Sequence, residues 1–125
     1  EAFKEFGRIL KPGGQLFVTC PMTWKEHQKP YDFFRYTQFS LKFLAEENNF
    51  EVVELSKVGG KYITIARMFI DVNLTAQIHN QYLRYLIILL FYPFKFLVGF
   101  VAYYLDKLDR VKDFTIQYEG IFRKI

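Results

Sequence analysis

The stretch Phe6-Gly-Arg-Ile-Leu-Lys-Pro-Gly-Gly-Gln-Leu-Phe-Val-Thr-Cys20 decides the reading of the fold. Ala2, Phe3, Phe6, Ile9 and Leu10 recur at the spacing of one helical face, so a helix is expected to run into it. Pro12 cannot continue that helix, and Gly13-Gly14 can take the left-handed or turn conformations that end it. Leu16-Phe17-Val18 is a short apolar run, expected as a strand covered on both faces. A helix passing through a tight turn into such a strand predicts an α/β layer fold.

Leu10-Lys-Pro-Gly-Gly14 followed by Leu16 resembles the late motif of class I S-adenosylmethionine-dependent methyltransferases. His27, the segment Pro30-Tyr-Asp-Phe-Phe-Arg-Tyr-Thr37 and then Asn49-Phe50-Glu51-Val52-Val53 extend the likeness to the small branch often called type 11. It covers residues 1–60 well and 114–125 loosely. It implies the C-terminal part of a Rossmann-like sheet, namely its last three strands, with the final strand antiparallel between the other two. It also implies S-adenosylmethionine as cofactor.

The chain opens at Glu1 inside a helical pattern, so it is expected to be the C-terminal part of a longer one. No G-x-G-x-x-G occurs in it, so the cofactor-binding residues are expected upstream. Hydrophobic residues at 51% and aromatics at 20% exclude a disordered chain. The net charge of +4 is spread along the sequence rather than gathered with stacking aromatics, so no nucleic-acid partner is expected. A single cysteine, Cys20, allows no internal disulfide and reads as a core residue, and no metal-ligand spacing is present.

Residues 22–37 follow the first strand without a sustained period. In open α/β sheets, ligands sit beyond the carboxyl ends of the strands, so this loop is the best candidate site. His27 can take a proton near neutrality and is the expected catalytic base, with a hydrogen bond inside the loop as its structural alternative. Asp32 and Arg35, three apart, read first as an ion pair bracing the loop, while Arg35 could instead hold an anionic group. Trp24, Tyr31, Asp32 and Arg35 form the expected substrate-binding set, and the resemblance places the segment 27–37 over the substrate side. Thr37 is expected to cap a helix through Phe39, Leu41, Phe43, Leu44 and Ala45.

Phe50 to Val58 reads as the next strand, and Phe114-Thr-Ile-Gln-Tyr118 with Ile121-Phe122 as the last. The expected organisation is therefore 1–60 and 114–125 as methyltransferase sheet, with 61–113 as a long hydrophobic helical insertion. Within it, Tyr85-Leu-Ile-Ile-Leu-Leu-Phe-Tyr-Pro-Phe94 and Phe96-Leu-Val-Gly-Phe-Val-Ala-Tyr-Tyr-Leu105 are uncharged and separated by Lys95. Together they reach the roughly 20 residues that cross a bilayer.

Pro93 is expected to kink or break the helix, and a central Lys95 would be costly in a span. If the flanking strands share a sheet, the chain must enter and leave a membrane on the same side. The expectation is a kinked helix or shallow hairpin in one leaflet. Tyr82, Tyr85, Tyr92, Tyr103 and Tyr104 would sit at the interface, and a +3 excess from Arg84 to Lys112 would favour anionic lipid. A protein interface (including a homodimer through 82–105) and a true crossing remain alternatives.

The functional expectation is the substrate-side half of a methyltransferase, peripheral at the cytoplasmic inner face of a membrane, acting on a small-molecule, lipid or lipid-linked acceptor. A non-catalytic, methyltransferase-like membrane or partner-binding module is the runner-up.

Overall fold

The computed structural model describes residues 1–73, 75–76 and 78–125. The elements are α1 (Ala2–Ile9), β1 (Gln15–Pro21), α2 (Gln38–Glu46), β2 (Phe50–Val58), α3 (Lys61–Asp71), α4 (Gln81–Asp106) and β3 (Gln117–Lys124). They divide into two units, Glu1–Val58 with Thr115–Ile125, and Gly59–Phe114.

The first unit is an α/β layer. Its sheet order is β1-β3-β2, and β3 runs antiparallel to both neighbours, so β1 and β2 are parallel. Leu16 pairs with Phe122, Val18 with Gly120 and Cys20 with Tyr118, which puts these side chains on one face. Phe3 of α1 and Leu41 and Ala45 of α2 pack there with Phe50, Tyr118 and Phe122. The Phe3 ring stands edge-on to Phe50 at 6.0 Å and to Phe122 at 5.4 Å, a favoured aromatic arrangement. A bulge between Val52 and Glu54 lets Val52 and Leu55, three apart, both reach this core.

Several details differ from the sequence expectation. β1 is covered on one face only: Leu16, Val18 and Cys20 are half-buried while Phe17 is 69% exposed. Both helices lie against the other side of the strand, and three apolar residues in a row do not distinguish one covered face from two. Ile9 is exposed because the buried face of α1 centres on Phe3, Phe6 and Leu10. On α2, Phe39 and Phe43 are four apart and point away from the face carrying Leu41, Leu44 and Ala45. β3 begins at Gln117 rather than Phe114.

The turn after α1 explains the Pro-Gly-Gly sequence. Gly13 has φ +79°, a conformation that favours glycine. Its N–H donates to the Lys124 carbonyl at 2.8 Å, and the Lys124 N–H donates to the Gly14 carbonyl at 2.9 Å. The Lys124 ammonium donates to the carbonyls of Gly7 (2.6 Å) and Leu10 (2.8 Å), a cation placed on the negative end of α1.

The second unit is a helical hairpin built on a related principle. α4 continues through Pro93 over 26 residues, about 39 Å, so of the kink or break expected there the break does not occur. The proline removes a single intrahelical bond, which the turns on either side tolerate. Gly60, the N-cap of α3, has no side chain to offer, and α4 supplies the missing acceptors. Asp106 accepts from the Gly60 N–H (2.8 Å) and the Ile63 N–H (3.2 Å), and Asp109, just beyond α4, accepts from the Lys61 N–H at 2.8 Å. At the opposite end of α3, the Lys95 ammonium donates to the carbonyls of Ile70 and Val72, both at 2.8 Å.

Lys95 and Asp106 are eleven residues apart, about three turns or 16 Å, which matches the length of α3. A carboxylate thus sits on the positive end of α3 and an ammonium on its negative end. Between them, Gly99 and the buried Ala102 lie on the same stripe, and a Cβ on Gly99 would reach Ile70 at 3.4 Å.

Chemical unfolding in detergent micelles tests these contacts. Asp106→Ala should lower the stability of the helical unit by about 2–3 kcal/mol, because buried N–H groups lose a charged acceptor. Lys95→Met should cost about 1 kcal/mol. Wild-type stability in both variants would show that the helix ends are held by packing alone.

Candidate functional site

The candidate site is the loop 22–37 that leaves the carboxyl end of β1. Its ends are tied together. Met22 and Thr23 donate their N–H groups to the Ile116 carbonyl at 2.9 and 3.0 Å, and the Tyr36 N–H reaches the Pro21 carbonyl at 3.4 Å. A loop closed at its base in this way is a small packed body rather than a free strap. The Tyr31 N–H donates to the Gln28 carbonyl at 2.9 Å, and Gln28 itself turns the chain at φ +52°.

Asp32 is the hub of the loop. Its Oδ2 accepts from the His27 backbone N–H at 2.9 Å and from Arg35 Nη2 at 2.7 Å, and its Oδ1 accepts from Arg35 Nη1 at 2.5 Å. Arg35 also donates to the carbonyls of Phe34 (2.9 Å), Lys25 (3.1 Å) and Trp24 (3.4 Å). The forked guanidinium therefore spends its terminal donors inside the loop, which is what a bracing pair requires. The Arg35 hydrogen bonds, followed by the His27 N–H, hold the Asp32 carboxyl well below the usual carboxylate range. Asp32 in turn raises Arg35 above its ordinary value.

His27 is partly exposed, with Nδ1 3.3 Å from the Lys25 carbonyl and 3.3 Å from Asp32 Oδ2. Both neighbours are acceptors, so Nδ1 carries the proton in the neutral ring and Nε2 is left with the lone pair. Of the residues expected from sequence, the fold thus brings Asp32, Arg35, His27 and the Trp24 carbonyl into one cluster. Tyr31 is 77% exposed and joins the cluster by none of these contacts. Its ring instead starts a row of neighbours: Tyr31 to Phe33 and Phe33 to Phe34 at 6.3 Å, and Phe34 to Tyr36 at 6.0 Å. Phe33 and Phe34 are also exposed, and alternating charges and rings in the sequence gave no sign that the rings would gather outside.

Cys20, at the carboxyl end of β1, is half-buried, and burial pushes its thiol up. Among the described residues, no group of His, Cys, Asp or Glu is arranged to hold a metal ion. No protein-family model, curated protein or solved structure matches the chain.

The depressed Asp32 carboxyl fixes the pH dependence of the loop. Its folded pKa lies below its unfolded one, so its contribution is complete above the unfolded value, about 4. That contribution is lost only as pH falls through the folded value. Trp24, the single tryptophan, reports on the brace through its carbonyl contact with Arg35. Its emission should stay constant from neutrality down to about pH 4 and shift only below it. Asp32→Asn should show the shifted emission already at neutral pH. A transition of the native protein centred in the ordinary carboxylate range would contradict the brace.

Proposed function

We propose that this chain is the acceptor-side part of an S-adenosylmethionine-dependent methyltransferase, working at the inner face of a membrane on a lipid or lipid-linked acceptor. The observation that carries the reading is a meeting at Ile116. Its carbonyl anchors the start of the candidate loop, and its N–H donates to the Val58 carbonyl at 3.2 Å. Val58 and Thr115 are the residues to which the apolar helical unit is attached, and Thr115 Oγ1 donates to the Val58 carbonyl at 2.6 Å. The loop and the roots of the apolar unit therefore leave the sheet at one end, the end where an open α/β sheet takes its ligands. The exposed row of Tyr31, Phe33 and Phe34 on that loop suits an apolar acceptor. The resemblance of residues 1–60 supports methyl transfer as the chemistry.

When bound, S-adenosylmethionine supplies an activated methyl group. The glycine pair of this chain does not fit it as a cradle, since the Gly13 N–H and the Gly14 carbonyl are both taken by Lys124. Its holding residues belong to the segment that the resemblance puts upstream, and the contribution of this chain is to the acceptor. The Asp32–Arg35 brace fixes the loop. His27, with Nδ1 held toward Asp32 and the Lys25 carbonyl, offers Nε2 to take a proton from an acceptor hydroxyl or amine.

Transfer of labelled methyl from S-adenosylmethionine to membrane lipid, by the protein containing this chain, tests the reading. His27→Ala should lower turnover by about a hundred-fold or more while leaving cofactor affinity unchanged. Wild-type turnover in that variant would remove His27 from the reaction. The saturated terminal donors of Arg35 also suit a non-catalytic membrane module, which would bind lipid and transfer no methyl.

A further inference from the structure

The geometry points to α4 lying in the plane of an anionic membrane surface, not across it, with α3 and the connection after it on the water side. The inference rests on the membrane part of the proposed function and not on its chemistry. α4 is the one described helix long and apolar enough to cross a bilayer, and almost none of it is buried. Its length of about 39 Å exceeds the roughly 30 Å hydrocarbon core. Length therefore permits either orientation, and the side chains decide.

Lys95, Gly99, Ala102 and Asp106 mark the stripe of α4 that faces α3. Leu86, Leu90 and Phe100, spaced by four and ten, make an exposed apolar stripe on the side turned away from α3, while Leu97 borders the groove shared with Tyr62, Ile65 and Phe69 of α3. Tyr85, Tyr92 and Tyr103 are separated by seven and eleven residues, so they form a third line along the border between those two faces. All three are more than half exposed. Tyrosine favours the headgroup level. In a crossing helix Tyr92, near the midpoint, would lie at the centre of the hydrocarbon. In an in-plane helix these three tyrosines take the same interfacial depth, while Tyr82 and Tyr104, four residues from Leu86 and Phe100, lie on the apolar stripe toward the ends of α4.

The connection between the two helices points the same way. Val72, Asn73 and Thr75 lie beside Ile87, Ile88, Phe91 and Lys95, so the start of the connection lies against the middle of α4. The described part of this connection is non-helical and includes Asn73, Thr75, His79 and Asn80, and lipid-exposed irregular backbone is not tolerated in hydrocarbon. With α4 in the plane, the connection and the Arg67–Asp71 pair of α3 stay in water.

The charge of the unit names the lipid. Residues 59–114 carry seven basic and four acidic side chains. Asp106 and Asp109 are turned onto backbone N–H groups and Asp71 pairs with Arg67, and the unit as a whole has the field of three excess positive charges. That field complements anionic headgroups.

Spin labels on the chain bound to vesicles of equal parts phosphatidylcholine and phosphatidylglycerol test the orientation. In a Cys20→Ala background, labels at Leu86→Cys, Leu90→Cys and Phe100→Cys should share one depth, and a label at Tyr92→Cys should be shallower. A change of about 21 Å between positions 86 and 100 would show a crossing helix. It would overturn the in-plane placement while leaving membrane binding intact. No partition onto the vesicles, by chain whose helical circular dichroism is retained in micelles, would overturn both. Arg84→Gln with Arg110→Gln should weaken vesicle binding by about five-fold for each residue. Unchanged affinity would overturn the assignment to anionic lipid.

Discussion

β3 pairs with β1 on one side and with β2 on the other, and the remaining architecture is arranged around that double pairing. Residues 117–124 are distant in sequence from both partners, yet Phe122 lies between Leu16 and Val52 and completes the core under Phe3. The pairing also fixes where the chain leaves and returns. Because β2 ends beside the start of β3, the 56 residues from Gly59 to Phe114 must depart and come back at one point. An apolar segment closed in this way cannot cross a membrane once. The same end of the sheet receives the loop after β1, so the Ile116 peptide serves both connections.

The helices are secured by side chains reaching from elsewhere onto their ends. Lys124 covers the last carbonyls of α1, and α3 is held at one end by Asp106 and at the other by Lys95. Each charge matches the sign of the helix end that it meets. In an apolar setting these contacts weigh more than on a wet surface, because the backbone groups they satisfy would otherwise lack partners. The lysine that interrupts the longest apolar run is thus part of the hairpin, and its charge is met by the carbonyls of Ile70 and Val72.

Much of this was legible in the sequence, for identifiable reasons. Pro12-Gly13-Gly14 marks a helix stop that only special backbone geometry fills, and Thr37 is the N-cap of α2, accepting from the Ser40 N–H at 3.2 Å. β2 spans Phe50–Val58 as its composition and bounding glycines suggested. In the loop, the spacing of Asp32 and Arg35 signalled a brace. What stayed hidden depends on partners far along the chain. Pro93 is compatible with a continuous helix once the flanking turns hold, which local rules do not reveal. Lys95 and Asp106 become readable as caps only when the length of α3 is known. The single covered face of β1 depends on where α1 and α2 pack, which a run of three apolar residues does not encode.

The account joins a braced loop and an apolar hairpin through one end of one sheet, and its central claim is that this hairpin meets the membrane from one side. Single cysteines at Ala76→Cys, in the connection between α3 and α4, and at Ile125→Cys, in a Cys20→Ala background, report this directly. The protein would be reconstituted on sealed anionic vesicles and treated with a membrane-impermeant maleimide. Both positions should react from outside to the same extent before the vesicles are opened. Protection of position 76 until the bilayer is dissolved, with position 125 labelled freely, would place the connection on the far side and contradict the account.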